Sequence, residues 1–188
     1  IIMVSVMSLA SIVSVYTNVA ASEITENIGI KIDKKQFPCE LIREKIMQDI
    51  DIDKNGYLSE EEINAVVAFG IDAADLQDEE HSKIGEKAFY NKKYGRIDFT
   101  GVEIFKNIKS MGWTVAGVFD YRCGIENLDC LSKLPKLEKL HIRYDSLTKN
   151  YDFSKFRSLK KLSLLECDRV KSIKFGKNSK IQVLDLSG

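Results

Sequence analysis

The sequence predicts an α+β chain, with a helical front portion followed by short strands that stack into a parallel sheet. Two observations carry this. On either side of an acidic, glycine-containing loop at residues 51–62, apolar side chains recur at helical spacing. The pattern LxxLxL begins at Leu137, again at Leu159 and again at Ile181, a 22-residue period. Such a period marks a unit that buries its apolar face against copies of itself. Composition agrees with a folded chain. Of 188 residues 44% are hydrophobic and only two are proline, which excludes disordered and collagen-like polymers. The 28 basic and 28 acidic residues cancel, so no net field steers the chain onto nucleic acid or an anionic membrane.

From Ile1 through Ser22 no side chain is charged, and IIMVSVMSLASIVSV has the length of a secretory apolar core. Small residues follow, with Val19 and Ala21 placed to be read by a signal peptidase. Residues 1–21 are therefore expected to be a signal peptide cleaved after Ala21. A membrane-spanning helix is the alternative, since about 20 apolar residues can cross a bilayer; the scattered serines and Asn18 weigh against it. No membrane span is expected after cleavage. The absence of an initiator Met and of a basic leader leads to the expectation that the natural chain starts earlier.

Residues 22–96 are expected to form a helical cap, entered through a mostly polar, loose lead-in from Ser22 to Lys35. Leu41, Ile42, Ile46, Met47 and Ile50 make an apolar stripe on a helix starting near Pro38. The stretch DIDKNGYLSEEE follows. Calcium, a hard cation, takes six to eight oxygens. Asp51, Asp53 and Asn55 can supply three of them, the Tyr57 carbonyl a fourth, Ser59 one through water, and Glu62 two more. Gly56 permits the sharp turn, and Leu58 offers an apolar anchor. In residue types and spacing the stretch resembles an EF-hand loop. Ser59 to Glu62 is also an S-x-x-E capping box, which would start a helix without metal, but a capping box has no need of Asp51, Asp53, Asn55 or Gly56. The second helix is expected over 59–70, with Ile63, Val66 and Val67 inward and Gly70 as its stop. Asp72, Asp75 and Asp78 lack the Gly and Glu of a second loop. An exported single loop should bind calcium with a dissociation constant on the order of 10⁻⁴ to 10⁻³ M. Residues 71–96 are expected to be a helix and a loop.

The repeats are expected over residues 97–188. Leu137, Leu140, Ile142 and Leu147 are echoed by Leu159, Leu162, Leu164 and Val170, then by Ile181, Leu184 and Leu186. An earlier frame places Val115, Val118 and Ile125 in apolar slots, although Asp120 breaks it, and Phe99 to Met111 looks like a degenerate first copy. Asp145, Cys167 and Cys123 share one slot of the repeat. Ile125, Leu128, Leu131, Leu134 and Leu137 recur at spacing three, which an amphipathic helix would also show, though not with recurrence in the repeat frame. The pattern resembles a leucine-rich repeat, in which copies stack into a solenoid with a parallel sheet on one side. Chain order and both motifs together resemble secreted bacterial leucine-rich repeat proteins of the internalin-like kind, in which a small helical module caps the first repeat. The register departs from that pattern at 112–124. The chain stops inside a repeat strand, so further sequence is expected beyond Gly188.

Four cysteines, Cys39, Cys123, Cys130 and Cys167, could form two disulfides in any of three pairings if exported, or remain buried thiols. Under the repeat reading Cys123 and Cys167 bond neighbouring backbone, the role usually held by Asn. There is no metal-binding CxxC pair and no GxSxG, HExxH or phosphate loop, so no catalysis is expected. The expected function is binding: a secreted or cell-surface protein, braced by Ca²⁺, that contacts an extracellular protein or cell-surface macromolecule. Strand alternation nominates His141, Arg143, Ser163, Leu165, Asp185 and Ser187 as contact residues. The alternative is the targeting portion of a larger exported enzyme.

Overall fold

The computed structural model describes residues 29–71, 96–114, 124–143 and 149–188. The expected signal peptide and the expected helix and loop of 72–95 lie outside these residues, as do Val115, Val118, Cys123, Asp145 and Leu147. Strand β1 (Ile30–Lys31) precedes helix α1 (Glu40–Asp49), strand β2 (Tyr57–Leu58) and helix α2 (Glu60–Ala65). Then come β3 (Ala68–Ile71), β4 (Arg96–Asp98), β5 (Ser110–Thr114), β6 (Gly124–Glu126), β7 (Lys139–Arg143), β8 (Lys149–Asp152), β9 (Lys161–Leu165), β10 (Val170–Lys174) and β11 (Val183–Asp185). The fold is mixed α/β with few helices, and no helix among the described residues is long and apolar enough to cross a membrane.

Five strands form one parallel sheet in the order β11, β9, β7, β5, β3. Its register follows the sequence repeat. Leu140 faces Leu162 and Leu162 faces Leu184, the same step taken twice. From β5 to β7 the step is longer, with Met111 opposite Leu140, so the copy before β7 does not keep the frame through Val115 and Val118. In β7 and β9 burial alternates as period-two strands require: Leu140, Ile142, Leu162 and Leu164 point into the core, and the residues between them are exposed or half-buried.

Among the described residues each strand of the main sheet from β3 to β9 is followed by a second strand, and these pair too. β4 pairs with β6 and β8 with β10, all parallel. The run at spacing three beginning at Ile125 is not an amphipathic α-helix. It contains a 3₁₀ turn at Leu128–Lys133, where three residues complete a turn and spacing three keeps one face inward. Val102–Ile104 forms the equivalent turn one copy earlier. Val102, Leu131 and Phe153 are buried at equivalent places, as are Phe105, Leu134 and Phe156, and then Ile108, Leu137 and Leu159. Phe99 to Met111 is thus built like the copies that follow it.

The helical front portion departs from expectation in three places. Helix α1 buries Leu41, Ile42 and Ile46 as predicted and leaves Met47 39% exposed. Helix α2, expected over 59–70, ends at Ala65, with Val66 already extended at ψ 108. Residues 68–71 join the sheet instead, because Gly70 can lie against the backbone of Gly112, where a Cβ would stand 2.0 Å from the Gly112 carbonyl oxygen. Phe69 then stacks on Phe105 at 6.1 Å. The lead-in is not loose throughout: Ile30 and Lys31 pair with β2, and Ile32 is buried.

The two glycines facing each other in β3 and β5 make opposite predictions. Gly70→Ala should lower stability by about 1–3 kcal/mol, the cost of forcing atoms into a packed contact. Gly112→Ala, whose Cβ would meet nothing within 4 Å, should be neutral or slightly stabilising through reduced unfolded-state entropy. Thermal melts of both variants check this.

Candidate metal centre

Asp51 follows the last turn of α1, where the N–H groups of Ile50 and Asp51 both donate to the Ile46 carbonyl. Its side chain is buried at 2% exposure and folds over the loop, accepting N–H bonds from Asn55 and Gly56 at 3.1 Å each. Lys54 and Gly56, at φ 57 and φ 80, take the left-handed conformations that turn the chain back. Asp53 accepts from the Asn55 backbone at 3.2 Å and from its amide nitrogen at 2.7 Å, and Asn55 Oδ1 accepts the Tyr57 N–H at 2.7 Å.

Glu62 returns from α2 to close the loop. Its Oε1 accepts the Ile52 N–H at 2.7 Å, and its Oε2 accepts the Ser59 N–H at 2.8 Å and hydroxyl at 2.9 Å. Ser59 Oγ accepts the Glu62 N–H in return, so the capping box read from the sequence is formed. Carboxylate oxygens of Asp51, Asp53 and Glu62 thereby come within 4.8 Å of one another.

Three carboxylates so close repel one another, and two of them are buried. Backbone N–H groups offset part of that cost. A carboxylate has about four lone-pair positions, so the hydrogen bonds leave capacity toward the shared space. The donor set is all oxygen, which suits a hard divalent cation and not a thiophilic metal. Of the remaining predicted ligands, Tyr57 and Ser59 lie on the same loop, but Ser59 is committed to Glu62 and Asn55 Oδ1 to Tyr57. Sequence reasoning missed Lys54, whose ammonium donates to the Met47 and Gln48 carbonyls at 2.6 and 2.7 Å. This cation at a helix C-terminus is favourable for the helix dipole.

Five of the six predicted contact residues lie on one sheet face, and Ser187 follows the last strand. His141, Ser163 and Asp185 are successive partners in one row, and Arg143 and Leu165 in the next. Arg143 is ion-paired with Glu166 at 2.7 Å. Ser187 donates its N–H and hydroxyl to Asp185 Oδ1 and holds that carboxyl below its ordinary range. Gly70 and Gly112 continue the row of His141 toward the loop. A cleft of about 570 Å³ opens there, lined by Ile52, Glu62, Val67, Gly70, Gly112 and His141 among others. Ile52 and Val67 stand 76% and 54% exposed.

Among the described residues, Cys39, Cys130 and Cys167 form no disulfide. Cys167 donates to the carbonyls of Leu165 at 3.3 Å and Ile142 at 3.7 Å, the backbone-bonding role expected of it. Burial pushes the Cys130 thiol up to about 12.

The chain matches no protein family model and no curated protein.

Burial alone would raise the Glu62 carboxyl, but the Ser59, Ile52 and Asp53 backbone groups and the Ser59 hydroxyl outweigh it, and the group is held below 4.5. A depressed carboxyl stabilises the fold above its unfolded value and loses that contribution as pH falls through the folded one. In chelator, the melting temperature should therefore be flat near neutrality and fall as pH drops below about 4.5. Glu62→Gln should start lower at pH 7 and fall less steeply with acid, as read by circular dichroism.

Proposed function

We propose that the protein is an exported binding protein in which a single EF-hand-like calcium loop braces the front of a leucine-rich repeat solenoid, and the exposed face of the parallel sheet contacts an extracellular macromolecule. The observation that carries the calcium part is the convergence of Asp51, Asp53 and Glu62 in a loop whose other positions suit calcium. In this reading calcium draws the ends of α1 and α2 together across residues 51–62. The ion also neutralises charge that the backbone N–H groups only partly offset. Its role is structural: at a concentration ten times the dissociation constant it adds about 1.4 kcal/mol to stability.

The repeat part is supported by the equal step between successive strands, Leu140 to Leu162 to Leu184, and by the recurrence of buried apolar places in three copies. Resemblance to internalin-like proteins implies a protein or cell-surface partner. Export is supported by the uncharged opening of the sequence. The row of His141, Ser163 and Asp185, with Arg143 and Leu165 beside it, is the proposed contact surface, and the cleft beside His141 brings it to the calcium loop.

Calcium titration by calorimetry, with melting read in calcium and in chelator, tests the proposal. One saturable site is expected, lost in the Asp51→Ala, Glu62→Ala double variant, with calcium raising the melting temperature by a few degrees. No heat and no stabilisation up to ~10 mM calcium, past the range of weak extracellular loops, would reduce the loop to a turn.

A further inference from the structure

Strand β2 lies within the loop, and its open backbone edge is closed by β1. Ile30 pairs with Leu58 and Lys31 with Tyr57 in antiparallel register. One residue further on, the Ile32 N–H donates to the Gly56 carbonyl at 3.0 Å. At the start of the segment the approach is so close that a Cβ on Gly29 would lie 2.5 Å from the Leu58 carbonyl oxygen. The far end is fixed as well. Asp33 accepts the N–H groups of Lys35 and Gln36 in a turn, and Phe37 is fully buried, stacked on Phe105 at 6.4 Å. Gly101, at φ +99, makes room for the Gln36 carbonyl and the Phe37 ring.

A two-residue strand with an unpaired edge has little stability of its own. The segment holding β2 therefore fixes the backbone that carries the Tyr57 carbonyl, and it fixes how the Asp51 turn is spaced from Ser59 and Glu62. We infer that residues 29–32 are a positioning strand for the calcium loop and that they set its calcium affinity. The inference rests on the calcium reading above. It assigns the upstream segment a role in metal binding although it contributes no ligand. Pre-ordering of this kind raises affinity by lowering the entropy lost when the ion binds.

The test is calcium titration of the full chain by calorimetry, well below its melting temperature, beside Gly29→Ala and Ile32→Pro, with melting in chelator measured in parallel. Gly29→Ala pushes β1 off β2, and Ile32→Pro removes the bond to Gly56. Both variants should bind calcium about tenfold or more weakly, the scale of a lost hydrogen bond with loop ordering added. A role in stability alone would lower the melting temperature and leave the affinity of the folded chain unchanged. Equal affinity in the wild type and in a folded variant overturns the positioning role and leaves the calcium reading intact. A wild type that binds no calcium overturns both. Ile32 is buried, so if Ile32→Pro does not fold, Gly29→Ala at the exposed start of the segment decides.

Discussion

The structure depends on a backbone device repeated at the entrance to the strands of the main sheet. The carbonyl of Lys109 accepts two N–H groups, from Glu138 and Lys139. That of Glu138 accepts from Lys160 and Lys161, and that of Lys160 from Gln182 and Val183. A carbonyl has two lone pairs, so one acceptor serves both donors without loss. Each such joint sets one strand against the next in register before any side chain is considered. The apolar residues then have no freedom to slip, because a shift by one residue would turn Leu140 and Ile142 toward solvent and Lys139 and His141 into the core.

The same logic joins the front portion to the sheet. The Lys109 N–H donates to the Val67 carbonyl, extending the ladder back to the residue before β3. Phe105 lies between Phe37 and Phe69, in near-parallel stacks tilted by 14° and 18°. Three chain segments therefore meet on one ring: the lead-in, the turn of the first copy and the first strand of the sheet. Glu103 ties that turn to the next, pairing with Lys133 at 2.9 Å and accepting the Gly101 N–H at 2.7 Å.

Much of this was legible in the sequence, and the exceptions have physical causes. The step between the later strands was readable because three copies repeat the same spacing of leucines, and the inward stripe of α1 because Leu41, Ile42 and Ile46 follow the helical period. The earlier, longer copy was legible only in outline, as a degenerate copy over Phe99 to Met111, and its register was not. Its apolar places are held by Val102, Phe105 and Ile108, and its strand meets the next through Met111 and Leu140, a wider interval than that from Leu140 to Leu162, so the 22-residue period does not give its register. The 59–70 helix was misjudged because Ile63, Val66 and Val67 suit a helical stripe, while the decisive fact, the close approach of Gly70 to Gly112, is long-range. The convergence of Asp51, Asp53 and Glu62 followed from spacing alone. The pairing of Ile30 and Lys31 with the loop did not, since two residues in a polar stretch carry no alternation to detect.

Parallel sheets ordinarily form slowly, because their strands are brought together from distant parts of the chain and loop closure must precede any contact. Here each strand of the main sheet pairs with the strand of that sheet before it: Ala68 meets Ser110, Ser110 meets Lys139, Lys139 meets Lys161, and Lys161 meets Val183. Nothing in this sheet waits on the meeting of remote ends. The sheet can grow by addition from a first joint, each new strand finding a finished template a short stretch of chain behind it. Such growth has a starting point in the Phe37, Phe69 and Phe105 cluster, which joins the front portion to the first strands of the sheet.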